Sequence, residues 1–488
     1  MSDREHTGSH AAVPAEGAAR QERRVRRGRT SRRFDATVLV AVVLVLAAAA
    51  ALWLTRPEGW SEPKQAAREA ALRSATLICP AALRGKDAVG VATTATKAAG
   101  VEAALTGKGA AADSVSLAPG KVTPAEADKD GLVISAVGNA SAGLVAGRSS
   151  RRPLAATECR PPAGEEWFTG LGAGPVHNST IELTNPNKGS GVVDITVLDK
   201  NGVVDIADLR GVAVPGGSSR TIDLQKLMSR TGSLAIHTSV VRGQVAVAVR
   251  DRSGQLVASS GSEEWLAPQG APRTSNLLLG YPKHATSQSL VIANPGDNQV
   301  TASLKLVTPD AVISPQGAPD VQIPPHTVAT VALNGLLDKP VAEDAYGIEL
   351  DASGPVTTTL RSVAHGDLAV TAPAGPVSVA SALVVPAGKG VTHKTVDLAG
   401  ASGVGAAMVV SRDADGKQLD STRVALKQQQ GATVDVPAAA ALVEVRPDRV
   451  SVSAALLVRG DGDAGAAVLP FREVAVSARV PAVAPGLR

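Results

Sequence analysis

The chain has 488 residues, 44% of them hydrophobic but only 2% aromatic, so its cores must be built from Val, Ala, Leu and Ile, a palette that suits pleated sheets. The net charge of +4 is confined to residues 1–56, which hold ten Arg and five acids; the remaining 39 basic and 40 acidic residues nearly cancel. A folded part without a basic surplus has no electrostatic footprint for DNA or RNA, and nucleic acid is excluded as a partner on that ground.

Residues 1–35 read as an Arg-rich cytoplasmic leader without ordered structure. Ala36 to Leu54 is an uncharged run of 19 residues. At 1.5 Å per residue it is long enough to cross a hydrocarbon layer of ~30 Å, which predicts a single transmembrane helix in contact with membrane lipid. The arginines from Arg4 to Arg33 place the N-terminus inside and the C-terminal ectodomain outside. Phe34, Trp53 and Trp60 stand where an aromatic belt would. A competing reading is a signal peptide cut among the small residues Ala47 to Ala51, with secretion of the rest. Residues 55–75 read as a linker with two helical turns.

From Thr76 the pattern changes. Runs such as Val192-Val-Asp-Ile-Thr-Val-Leu and Gln244-Val-Ala-Val-Ala-Val alternate or stay apolar over a few residues and are bounded by Gly, Pro, Asn and Asp. This is the grammar of strands and turns. Ile181-Glu-Leu-Thr-Asn185-Pro186 recurs as Leu290-Val-Ile-Ala-Asn294-Pro295, Val212-Ala-Val-Pro215 as Val321-Gln-Ile-Pro324, and Thr221-Ile-Asp-Leu224 as Thr330-Val-Ala-Leu333, all offset by 109 residues. A more worn copy runs from Val424 to Val436, with Asp415-Gly416 near the place of the hairpin turn Asn201-Gly202. A shorter copy precedes them, with Val115-Ser-Leu-Ala-Pro119-Gly as its turn.

About seven short strands per repeat predict an all-β fold of tandem immunoglobulin/fibronectin-like β-sandwich modules behind one transmembrane helix. The modules fall at 76–162, next to the membrane, then 163–272, 273–378 and 379–488. Pro268-Gln-Gly-Ala-Pro272 and Pro373-Ala-Gly-Pro376 join them. Cys79 and Cys159 lie near the two ends of the first module, and an even count outside the cell predicts one disulfide; free thiols or an intermolecular bond are the alternatives.

No constellation for catalysis, cofactor or metal stands out. His177, His237, His284, His326, His365 and His393 lack ligand spacing, and no Gly-x-Ser-x-Gly elbow, phosphate loop or dinucleotide fingerprint is present. The doublets Glu165-Glu166 and Glu263-Glu264 read as solvated loop ends before Trp167 and Trp265. The expected function is therefore a non-catalytic structural or interaction protein of the cell envelope, with a protein partner. A glycan-binding string is the alternative, weakened by the shortage of aromatic platforms. A carboxylate-based hydrolase comes third.

Cys79-Pro80, Cys159, Trp167-Phe168-Thr169-Gly170, Asn185-Pro186 and Val214-Pro215-Gly216, behind an Arg-rich leader and one apolar segment, resemble an uncharacterised family of actinobacterial membrane or secreted proteins, a domain of unknown function. The resemblance covers most of residues 76–488. It implies a neighbourhood of glycosyltransferases that build envelope polymers, hence an accessory role with such an enzyme as partner, and assigns no catalytic residues.

Overall fold

The computed structural model describes residues 36–54 and 68–480, apart from 84–86, 97–100, 108–112, 152–153, 255–261, 462–464 and residues 128, 229, 319 and 365. The expected leader at 1–35 and most of the linker at 55–75 lie outside the described residues. Residues 36–54 and the β-rich body belong to separate units.

Ala36–Leu54 is a helix of 19 residues, at the bounds expected for a membrane span. The expectation of a transmembrane helix is not met, because among the described residues no helix is long and apolar enough to cross a membrane.

Among the described residues every pair of strands is antiparallel. Gly191–Asp199 shows why these residues pair as strands: Val193, Ile195 and Val197 are buried while Asp194 and Thr196 between them face water, the period of a half-buried strand. It turns back on Gly202–Val204, with Asp199 opposite Gly202 and Gly202 at φ 133°, a conformation open to glycine.

All four repeats are present, the short first one included. Each carries the same left-handed turn residue between two strands: Gly120 (φ 73°), Gly217 (φ 64°), His326 (φ 57°) and Gln429 (φ 59°). The repeated asparagines do more than start a turn. Asn185 Oδ1 accepts the amide of Asn187 and its Nδ2 donates to the carbonyls of Gly189 and Val214. Asn294 repeats this with Gly296, Asn298 and Ile323. Both are buried and pin their loops to the following turn.

The repeats are not a string of self-contained sandwiches. They are the blades of a four-bladed β-propeller, a correction to the expected tandem immunoglobulin/fibronectin-like fold. The last strand of each repeat lies innermost: β1 (Leu154–Cys159), β2 (Ser262–Leu266), β3 (Asp367–Thr371) and β4 (Ala466–Pro470). These touch in a closed cycle, β1 against β2, β2 against β3, β3 against β4 and β4 against β1.

Each inner strand turns one face to the preceding blade. Trp265 of β2 packs on Leu83 and Ala155 of the first blade, Leu368 and Val370 of β3 enter the core of the second, and Val468 of β4 meets Leu279 and Val307 of the third. Leu154 and Ala156 of β1 complete the cycle in the core of the fourth blade. A module removed from this ring would expose those side chains, at a cost of about 1.5–3 kcal/mol for each large one. That burial is what the string reading lacked.

The first and last blades also approach backbone to backbone. A Cβ on Gly147 would sit 2.5 Å from the carbonyl oxygen of Val384, so the contact requires glycine. Arg68–Ala71, expected in the linker, is a strand paired with Ser477–Val480, which brings the two ends of the body together.

Candidate functional site

Cys79 and Cys159 form a disulfide, with Cα atoms 4.2 Å apart. It ties the strand Ser74–Cys79 to β1, next to the backbone pair Ile78 and Arg160, so the first blade has its inner strand fastened covalently.

A proline stands at the end of β4 and two residues past the end of each other inner strand, at Pro161, Pro268, Pro373 and Pro470, where it has no N–H to offer as the chain passes into the connector. The connectors are then pinned. Gln269 exchanges both backbone hydrogen bonds with Trp167, and its side chain bridges to the third blade, donating to Thr359 Oγ1 and accepting from the amide of Thr358. Ala374 donates its amide to the carbonyl of Leu277.

Where the second, third and fourth inner strands end, these connectors line an open cavity of about 320 Å³. Gln269, Arg273, Asn276, Thr357, Arg472 and Glu473 supply its polar lining. Arg472 links three blades: it donates to the carbonyl of Pro268, and its Nε lies 3.7 Å from Glu158 Oε2 of β1. Burial raises the Glu158 carboxyl and lowers the Arg472 guanidinium, each opposed by the other's charge. Glu473 accepts the amide and hydroxyl of Ser378, both at 2.7 Å, which holds its carboxyl below the usual range. Arg273 is exposed and makes no side-chain hydrogen bond or ion pair among the described residues.

The carboxylate doublets are strand residues, not solvated loop ends. Glu166 is buried against Arg160, and Glu264 is buried with Oε2 unpaired. Burial pushes Glu264 well up, and the charges of Asp367 and Asp251 add to it. Burial also pushes Asp367 up to about 6, although the Ser262 hydroxyl, which accepts the amide of Leu368, donates to it.

The histidines are not brought together. His177 bonds Asp251 (3.0 Å), His237 bonds Glu165 (2.6 Å) and stacks on Trp167, and His326 bonds Asp297 (2.9 Å). His393 lies 3.4 Å from Asp435, and His284 is a left-handed loop residue. His365 lies outside the described residues. Ser179 and His177 both bind the same oxygen of Asp251, so the three do not form a nucleophile relay. Among the described residues no group of three or more His, Cys, Asp or Glu is placed to hold a metal ion.

Sequence reasoning passed over Gln269, Arg273 and Arg472. Their signal was the proline repeated after each repeat's last strand, which marks four equivalent exits but does not say that they converge.

Fold and site together define a closed β-propeller with a polar cavity among its connectors. The chain belongs to a family of unknown function (DUF5719), whose pattern matches residues 115–437, from within the first blade to within the fourth. No curated protein matches it.

Proposed function

We propose that this chain is a non-catalytic interaction protein of an actinobacterial cell envelope, working outside the cytoplasm, and that the cavity among the connectors receives a loop of a protein partner. The observation that carries this reading is the cavity's construction from several blades, with Arg472 reaching the first blade as well, so that the surface exists only in the closed ring. Such a surface is preorganised, which lowers the cost of binding. Two of the three charged residues that line it are engaged within the fold, Arg472 with Glu158 of the first blade and Glu473 with Ser378, which leaves Arg273 exposed to a partner. That favours holding a partner over turning over a substrate. The disulfide supports an oxidising compartment.

A membrane glycosyltransferase of envelope assembly is the first partner to test. A photoreactive residue at Arg273, inside the cavity and exposed, should capture one envelope protein in living cells, identified by mass spectrometry. The same residue at exposed Val203, on the outer edge of the second blade, should not. Equal capture at both positions would contradict the reading.

A further inference from the structure

A second, larger concavity of about 760 Å³ lies between the first and second blades. Its floor is a face of the sheet Ser218–Asp223, His177–Asn185, Ala246–Ser253 and Ser262–Leu266, in that order. The register lays out a grid: Thr221 beside Glu182, then Asp223, Thr180 and Arg250 in one row, then Asn178, Arg252 and Glu263 in the next. Neighbours in a row are about 4.8 Å apart and rows about 7 Å. Ala81 to Leu83, Lys129 and Asp130 of the first blade form the wall.

The acids of this groove other than the exposed Asp130 are engaged, whereas none of its three cations, Lys129, Arg250 and Arg252, is ion-paired among the described residues. Asp223 accepts from Asn178 (2.9 Å) and the amide of Gln225 (3.1 Å), Asp251 is held by Arg361, and Glu263 has a partner. Glu182 is buried, takes the amide of Ala81 on Oε2 at 2.7 Å, and burial raises its carboxyl. Arg250 donates only to the carbonyl of Ala82 (3.0 Å) and leaves a buried Nε with no partner. Arg252 and Lys129 are exposed and make no side-chain hydrogen bond or ion pair among the described residues.

We infer that this groove binds an anionic oligosaccharide, a polyhydroxylated chain carrying carboxylate or phosphate groups. The anionic groups would meet Arg250, Arg252 and Lys129. Sugar hydroxyls, which donate and accept, would meet Thr180, Thr221 and the free Oε1 of Glu182. A peptide is the weaker fit: the groove lies on a sheet face and not at an open edge, and no apolar pocket opens in the floor to anchor a side chain. Trp265, the row neighbour of Arg250, is buried under Ala81 and donates its indole N–H to that carbonyl, so it offers no stacking platform. Charge therefore has to do the holding, and affinity should fall as salt rises.

This site is separate from the cavity among the connectors, and its test does not depend on a partner being found there. The full chain is titrated calorimetrically with an oligogalacturonate hexamer, an oligo(glycerol phosphate), neutral maltohexaose and a hexaglutamate peptide. At least one of the first two should bind, and maltohexaose and hexaglutamate should bind about tenfold or more weakly, as should the preferred probe on Arg252→Glu or Lys129→Glu, both at exposed side chains. The proposal is overturned if neither anionic glycan probe binds, if hexaglutamate or maltohexaose binds equally well, or if both variants leave affinity unchanged.

Discussion

Arg361 of the third blade places Nη1 2.6 Å from Oδ2 of Asp251 in the second, with both side chains almost out of water. The same nitrogen donates to the carbonyl of Gly170 at 2.8 Å. Burial alone would raise Asp251, but the Arg361 charge, helped by His177 and Ser179, holds its carboxyl below the usual range. Arg361→Ala would strip Oδ2 of that buried carboxylate of its cation, leaving only His177 and Ser179 on Oδ1, and should cost about 3–5 kcal/mol in urea denaturation. Arg361→Met with Asp251→Asn should recover part of the loss. A cost under about 1 kcal/mol would mean that the second and third blades are not joined there.

Stability should pass through a minimum near neutral pH. Burial pushes Asp397 up to about 7 from the ordinary 3.8, so the folded chain holds that proton more tightly than the unfolded one. Its contribution is complete below the ordinary value and is lost as pH rises through about 7. Asp367, raised to about 6, acts in the same direction. Lys394 is fully buried against the carbonyls of Ala438 and Ala440, and burial lowers it to about 7 from 10.5. The folded chain disfavours its proton, so stability should climb as pH rises from about 7 towards 10.5. Urea midpoints at about pH 5, 7 and 9 check this. Asp397→Asn should flatten the acid arm and Lys394→Met the alkaline arm; unchanged curves in both would contradict it.

The disulfide closes a loop of 80 residues between Cys79 and Cys159. The chain-entropy argument gives it about 4 kcal/mol, less to the extent that the ring already confines both ends. Replacing both cysteines by alanine should lower the urea midpoint and leave the circular dichroism of the folded chain unchanged. No change in midpoint would show that the ring alone holds β1.

At the four equivalent turns, two repeats use glycine and two bear a side chain at positive φ. Gln429→Gly should stabilise the chain by up to about 1 kcal/mol by removing left-handed strain, whereas Gly217→Val should destabilise by about 1–2 kcal/mol. Thermal melts of the two variants shifting in the same direction would contradict their equivalence.

The repeat was legible because its signals are local. Asn185-Pro186 and Asn294-Pro295 head the same loop, and the turn at Pro119-Gly120 identified the short first copy. What closes the ring has no local signature. Leu368 and Val370 look like core residues of their own repeat but pack into the preceding one, and Arg361 reads as one more charged strand residue until Asp251, 110 positions earlier, lies beside it. Sandwich modules and propeller blades share period-2 strands and regular turns, so periodicity alone could not separate them. The disulfide was readable from the parity of cysteines, while the cavity lining depended on the convergence of three connectors and was not.

The central claim, a ring whose ends meet, is tested most directly by a cross-link. Ala70 faces Ala478 across the pairing of Arg68–Ala71 with Ser477–Val480. In the full chain carrying Ala70→Cys and Ala478→Cys, mild oxidation should give a monomer with a second, intramolecular disulfide, seen as a faster band on a non-reducing gel and as a linked peptide pair by mass spectrometry. If the two thiols stay free or join only separate molecules, the ends do not meet and the closed propeller is wrong.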